Sequence, residues 1–161
     1  MTKNYFFTGE TKVVNGVTLK QIECEEYGVG GWIESESNLA QEGTCWVYKN
    51  AMVYGNAVVS DKAKVYNDAV VFGNARICGN AEVYDCATVF GNAIISENSS
   101  VFGDATVSDF AQVYGYAQVY GTAEVGGDAV VTDNAIVYGN AVVCGEARLS
   151  GHSVAFSGLY D

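Results

Sequence analysis
The sequence predicts an all-β chain wound as a single-stranded parallel β-helix of about six triangular 18-residue coils, with an N-terminal β-hairpin as its cap. Three observations carry this. From Cys45 to His152 a six-residue phrase repeats without insertion: a small residue, a variable one, Val or Ile, a variable one and two turn formers, as in Ala51-Met52-Val53-Tyr54-Gly55-Asn56 and Ala135-Ile136-Val137-Tyr138-Gly139-Asn140. The phrases vary with a period of 18. The residue after each inward aliphatic reads Tyr48, Tyr66, Tyr84, Phe102, Tyr120, Tyr138, Phe156 on one side. It begins Tyr54, Phe72, Phe90 on the second and reads Ser60, Cys78, Ser96, Tyr114, Thr132, Ser150 on the third. Proline is absent, as expected where nearly every backbone N–H serves a ladder between coils.

The elements follow in chain order. In residues 1–44, Lys12-Val13-Val14, Asn15-Gly16 and Val17-Thr18-Leu19 predict a hairpin around a type I′ turn, because Asn-Gly supplies both positive-φ residues. Its expected role is to cover the strand edge of the first coil. Residues 45–152 are the β-helix: 108 positions, or six coils of 18, stacked to about 29 Å. Within each phrase the small and aliphatic positions are two apart and face inward together. The two residues after them are mostly Gly, Asp, Asn or Ser, which tolerate positive φ or bond locally in turns. The expected interior is columns of Ala beside columns of Val and Ile, with Cys45 and Ser99 in two small slots. Each buried Val contributes about 1.5–3 kcal/mol, so a core forms despite the modest length. Residues 153–161 form a tail with Phe156, Leu159 and Tyr160 available to fold over the last coil.

Charge and cysteine usage bound the partners. The net charge is −11, and residues 78–161 hold ten acids against the single base Arg148. Such a field repels nucleic acid and anionic membranes, and it opposes aggregation of an edge-bearing β protein. Cys24, Cys45, Cys78, Cys86 and Cys144 are odd in number and scattered, with no CxxC pair, so neither a disulfide frame nor a zinc site is expected. Met1-Thr2-Lys3-Asn4-Tyr5 does not open a signal peptide and no apolar run approaches a membrane span. The expected location is cytoplasmic.

Gly30-Gly31-Trp32-Ile33, Asn38-Leu39, Gly43, Cys45-Trp46-Val47-Tyr48 and Asn50-Ala51, followed by the N-A-x-V-Y-G phrases, resemble the YdcK-like hexapeptide-repeat proteins of enterobacteria and of phages and prophages. The resemblance covers roughly residues 17–152. It implies a left-handed hand for the prism, against the right-handed rule for ordinary parallel crossovers, and an acyltransferase-like label.

Acyltransferases of this architecture work as trimers that hold acyl-CoA between prisms and use a His as base, since a hydroxyl or amine must lose a proton as it attacks a thioester. The one histidine here is His152, at a corner of the last coil, and no loop leaves the coils between Cys45 and His152. The γ-class carbonic anhydrases need three His ligands, which this chain lacks, and scattered Thr88, Thr106 and Thr132 do not form an ice-binding array. Corner acids Asp61, Glu97 and Asp133 recur on alternate coils, about 9.6 Å apart, too far to share an ion, and Asn56, Asn74 and Asn92 are placed for an amide ladder. The Tyr48-to-Phe156 column is the candidate interface. The expected function is a non-catalytic structural or interaction module of bacterial or phage origin, without metal or cofactor, self-associating as a trimer through that column or as an end-to-end dimer through residues 153–161. Two alternatives stand beside it: an acyl-CoA-dependent acyltransferase with His152 as base, and an acidic DNA mimic that occupies a nucleic-acid-binding protein.

Overall fold
A computed structural model describes residues 5–161; residues 1–4, read above as lacking a leader's pattern, lie outside the described residues. The Asn15-Gly16 turn forms with φ of 50° and 81° and joins β1 (Phe6–Val14) to β2 (Val17–Cys24), antiparallel, with Val14 opposite Val17. The hairpin is longer than the predicted one. A third strand, β3 (Gly28–Ile33), pairs antiparallel with β2 on one edge.

On its other edge β3 lies parallel to the strand Met52–Val53. Parallel stacking therefore begins at Trp32, inside the segment read as cap. Gly30 and Gly31 permit this crossing: a Cβ on Gly30 would lie 2.7 Å from Trp46 Cζ2 and Val47 O, and one on Gly31 2.6 Å from Ala51 O. A short 3-10 turn, Glu36–Asn38, follows. Asn38 is fully buried, its amide donates to the carbonyls of Gly55 and Ala57, both at 2.9 Å, and its Oδ1 accepts from Ser35 N at 2.9 Å. It clamps the first turn onto the coil above, and Leu39 then bridges Val59 in parallel. The Gly-Gly and Asn-Leu pairs thus have a local structural reason.

From Trp46–Val47 to Val130–Val131 each strand is two residues long and pairs with the strand 18 residues ahead, as Lys64 does with Glu82 and Val65 with Val83. The backbone N–H of one coil donates to a carbonyl of the next, Tyr48 N to Val65 O at 2.8 Å and Met52 N to Ala69 O at 3.0 Å. The result is a parallel β-solenoid of about seven turns that matches a left-handed β-helix, with six full 18-residue coils flanked by partial turns at both ends. Every inward aliphatic from Val47 to Val143 is buried, beside Ala columns that are equally closed. Ser99 fills an Ala slot because its hydroxyl bonds the carbonyls of Ser96 and Val113 at 2.7 and 3.0 Å, which removes the cost of a buried unpaired hydroxyl.

The C-terminal segment differs from a tail folded over the end. Val154–Tyr160 runs parallel to the strand Ile136–Val143 and adds a further rung to two of the three sides. The third side ends at Arg148–Leu149, where Ala147 and Leu149 are only half-buried.

Candidate functional site
The aromatic column is a continuous ring stack. Tyr66–Tyr84, Tyr84–Phe102 and Phe102–Tyr120 have centroids 4.8 Å apart with planes within 10° of parallel. Tyr120–Tyr138 follows at 5.2 Å. These spacings equal the ladder repeat, so the coil itself imposes the stack. Both ends depart from it. Tyr48 meets Tyr66 edge-on at 89°, because Tyr27 and Trp46 pack against its other side at 6.0 and 6.4 Å. Phe156 tilts to 33° from Tyr138 and is 56% exposed. The Tyr66 hydroxyl donates to the Glu82 carboxylate at 3.1 Å. Burial first, then the Glu82 charge, raises its pKa, and burial raises those of Tyr48 and Tyr84. These hydroxyls stay protonated donors at neutral pH. On the second side Tyr54, Phe72 and Phe90 stack at 5.2 and 5.0 Å.

The corner acids are engaged by the backbone. Asp61, Asp85, Glu97, Asp109 and Asp133 all have φ between 58° and 61°. Each carboxylate accepts the N–H of a glycine one coil ahead: Asp61 from Gly79 at 2.9 Å, Asp85 from Gly103 at 3.4 Å, Glu97 from Gly115 at 3.0 Å, Asp109 from Gly127 at 3.0 Å and Asp133 from Gly151 at 2.8 Å. These acids are fold residues, hydrogen-bonded rather than merely solvated. The amide ladder also forms, Asn56 to Asn74 at 3.0 Å and Asn74 to Asn92 at 3.1 Å, with a second between Asn80 and Asn98 at 3.0 Å.

His152 is exposed at its corner, and among the described residues no carboxylate or hydroxyl is hydrogen-bonded to its ring. Among the described residues no group of three or more His, Cys, Asp and Glu is placed to hold a metal ion, and no helix is long and apolar enough to cross a membrane.

One cavity escaped the sequence reading. About 450 Å³ lies between the cap and the first coil, walled by Tyr5, Tyr27 and Trp46, rimmed by Glu25 and Glu26, with the buried thiols of Cys24 and Cys45 in its lining. Tyr5 is pushed up to about 12 chiefly by burial, and its hydroxyl bonds the carbonyls of Glu36 and Leu39 at 3.3 and 3.4 Å. Tyr27 is pushed up to about 12, first by its hydrogen bond with Glu26. Burial raises the Cys45 thiol, which keeps it protonated and a poor nucleophile. The cavity has no periodic signature, since its walls come from β1, the β2–β3 turn and the first coil.

Fold and repeat together define a hexapeptide-repeat parallel β-helix protein. No protein-family model matches the chain. A segment of 36 residues, 22% of this chain, is 53% identical to the uncharacterized acetyltransferase YdcK of Escherichia coli K12. That segment spans 11% of the relative's length. With the solenoid, it fits a YdcK-like hexapeptide-repeat protein.

Proposed function
We propose that the chain is a non-catalytic structural and interaction module, a rigid prism that presents side-chain columns to other proteins and to copies of itself. The observation that carries this is the occupation of the corner acids: the carboxylates most regularly arrayed on the surface each accept a backbone N–H of the next coil. A carboxylate held in this way has a structural role in joining one coil to the next, which accounts for its regular recurrence without a catalytic one. The aromatic column offers ring edges and hydroxyls outward, suited to side-by-side packing of prisms in threes. Isothermal calorimetry with acetyl-CoA and turnover assays with sugar and amine acceptors test the proposal. Neither heat nor turnover is expected, and turnover that vanishes in His152→Ala would overturn it.

A second reading is favoured by the similarity to a protein named an acetyltransferase. Under it, acyl-CoA would lie between prisms and His152 would take the proton of the acceptor. The shared segment is 36 residues, 11% of the relative's length, and shared architecture does not transfer chemistry.

A further inference from the structure
Among the described residues of 45–152, the exposed large hydrophobic side chains are Phe110 and Tyr116, 59% and 64% accessible. They stand on one coil, six residues apart, at the corners that flank the strand Gln112–Val113. Between them Gln112 and half-buried Tyr114 alternate outward. In the other coils these corner columns are polar. One holds Asn56, Asn74, Asn92, Asp128 and Glu146; the other holds Lys62, Asn80, Asn98, Asn134 and His152. Tyr114 is likewise the one aromatic in a column of Ser, Cys and Thr.

These departures cost the fold contacts. The Asn56-Asn74-Asn92 ladder stops one coil short of Phe110, and the Asn80–Asn98 bond stops one coil short of Tyr116. In exchange, no ring–ring contact forms at Phe110, Tyr114 or Tyr116 among the described residues. Exposed rings that give up internal contacts are the residue types that anchor interfaces.

The charge around them selects the partner. Asp109 precedes Phe110, and Asp128 lies one coil beyond it. The corner Gly115-Tyr116 is bracketed by Glu97, whose carboxylate accepts from Gly115 N at 3.0 Å, and by Asp133, whose carbonyl accepts from Tyr116 N at 2.6 Å. No Lys or Arg occurs between Arg76 and Arg148. We propose that this coil is a docking surface for an arginine-bearing polypeptide segment of a protein partner, with guanidinium groups over the rings of Phe110, Tyr114 and Tyr116 and the surrounding carboxylates balancing their charge. Guanidinium stacks on aromatic faces and sheds water more readily than an ammonium, so the rings add a preference that charge alone does not. From Phe110 to Tyr116 the chain spans at most roughly 20 Å, the length of about six extended residues. This assignment rests on the interaction-module function proposed above and names its partner class.

The double variant F110N/Y116N tests it, because it restores the polar corners of the neighbouring coils and extends both amide ladders. Fluorescence anisotropy is read with labelled oligo-arginine and oligo-lysine peptides of equal length, at low and physiological salt. The parent is expected to bind the arginine peptide about 10-fold more tightly than the lysine peptide. F110N/Y116N should lose that preference and keep the parent's circular dichroism. Equal affinity of the parent for both peptides, no binding of either, or a variant that keeps the arginine preference would overturn the proposal. Y116N alone is read in the same way should the double variant misfold. Acetyl-CoA turnover by the parent would count against the non-catalytic function and leave this outcome standing.

Discussion
Replacing Asp61 separates a fold residue from a solvated one. Its backbone sits at φ 61° and its carboxylate accepts from Gly79 N at 2.9 Å. Asn keeps an acceptor oxygen and tolerates the left-handed region, so D61N is expected to lose less than about 0.5 kcal/mol. Ala removes the bond, worth about 0.5–1.5 kcal/mol. It also holds a side chain without local hydrogen bonding in the left-handed region, at about 1–2 kcal/mol. D61A should therefore lose about 1.5–3.5 kcal/mol. Gly removes the bond and the strain together, and D61G should fall between the two. Urea unfolding followed by circular dichroism gives the order Asn, Gly, Ala from most to least stable. If D61A matches D61N, the carboxylate bond contributes nothing and the support for a structural role of the corner acids is lost.

Four further outcomes are expected. Ile95→Ala, at a fully buried inward position, should cost about 2–5 kcal/mol, while Leu149→Ala on the half-covered last coil should cost well under that range; equal losses in urea unfolding would contradict the closed and open ends described. Cysteines at Lys64 and Glu82, direct partners across two coils with an ion-pair distance of 3.7 Å, should cross-link under mild oxidation, as seen by mobility on a non-reducing gel. If copies pack through the aromatic column as proposed, the parent should scatter light as an oligomer and Tyr84→Lys with Tyr120→Lys as a monomer; a monomeric parent or an unchanged mass removes the column as interface. Tyr5, with its pKa raised to about 12 from the ordinary 10.0, binds its proton more tightly in the folded chain. The stability it contributes is complete below pH 10 and is lost as the pH climbs through about 12; tyrosinate absorbance from Tyr5, isolated by comparison with Tyr5→Phe, should therefore rise together with loss of circular dichroism.

What repeats was legible in the sequence. The period of 18 places Tyr66 over Tyr48 and Val83 beside Val65 before any coordinate is seen, and Asn15-Gly16 announces its turn through two positive φ values. Most of what occurs once was not legible. β3 carries no alternation that marks it as shared between an antiparallel cap and a parallel coil, and its role appears only when Gly30 and Gly31 pass against Trp46, Val47 and Ala51. The C-terminal segment was ambiguous for a related reason. Val154, Ala155 and Phe156 continue the phrase, but the register against Asn140 to Val143 shortens at the corner, so a lid and a further rung look alike in sequence. The cavity walled by Tyr5, Tyr27 and Trp46 joins segments far apart in the chain and belongs to no period. The acids were visible as a column, and their acceptor role was not, because it depends on a glycine N–H one coil away pointing at the carboxylate.

In a solenoid the repeat and the function compete for the same positions. Each column has a residue type that the stack rewards, Asn where amides ladder and acids where a glycine N–H follows, so a conforming position is explained by the coil alone. Information about a partner can enter only where a column is broken and the stack gains nothing in return. The rings from Tyr66 to Tyr138 conform, since each covers its neighbour close to the ladder spacing. Phe110 and Tyr116 do not, since they end two amide ladders and stay open to solvent. The departures at Phe110, Tyr114 and Tyr116 are therefore where the stack leaves room for a partner, and they stand on a surface whose charge is almost wholly negative.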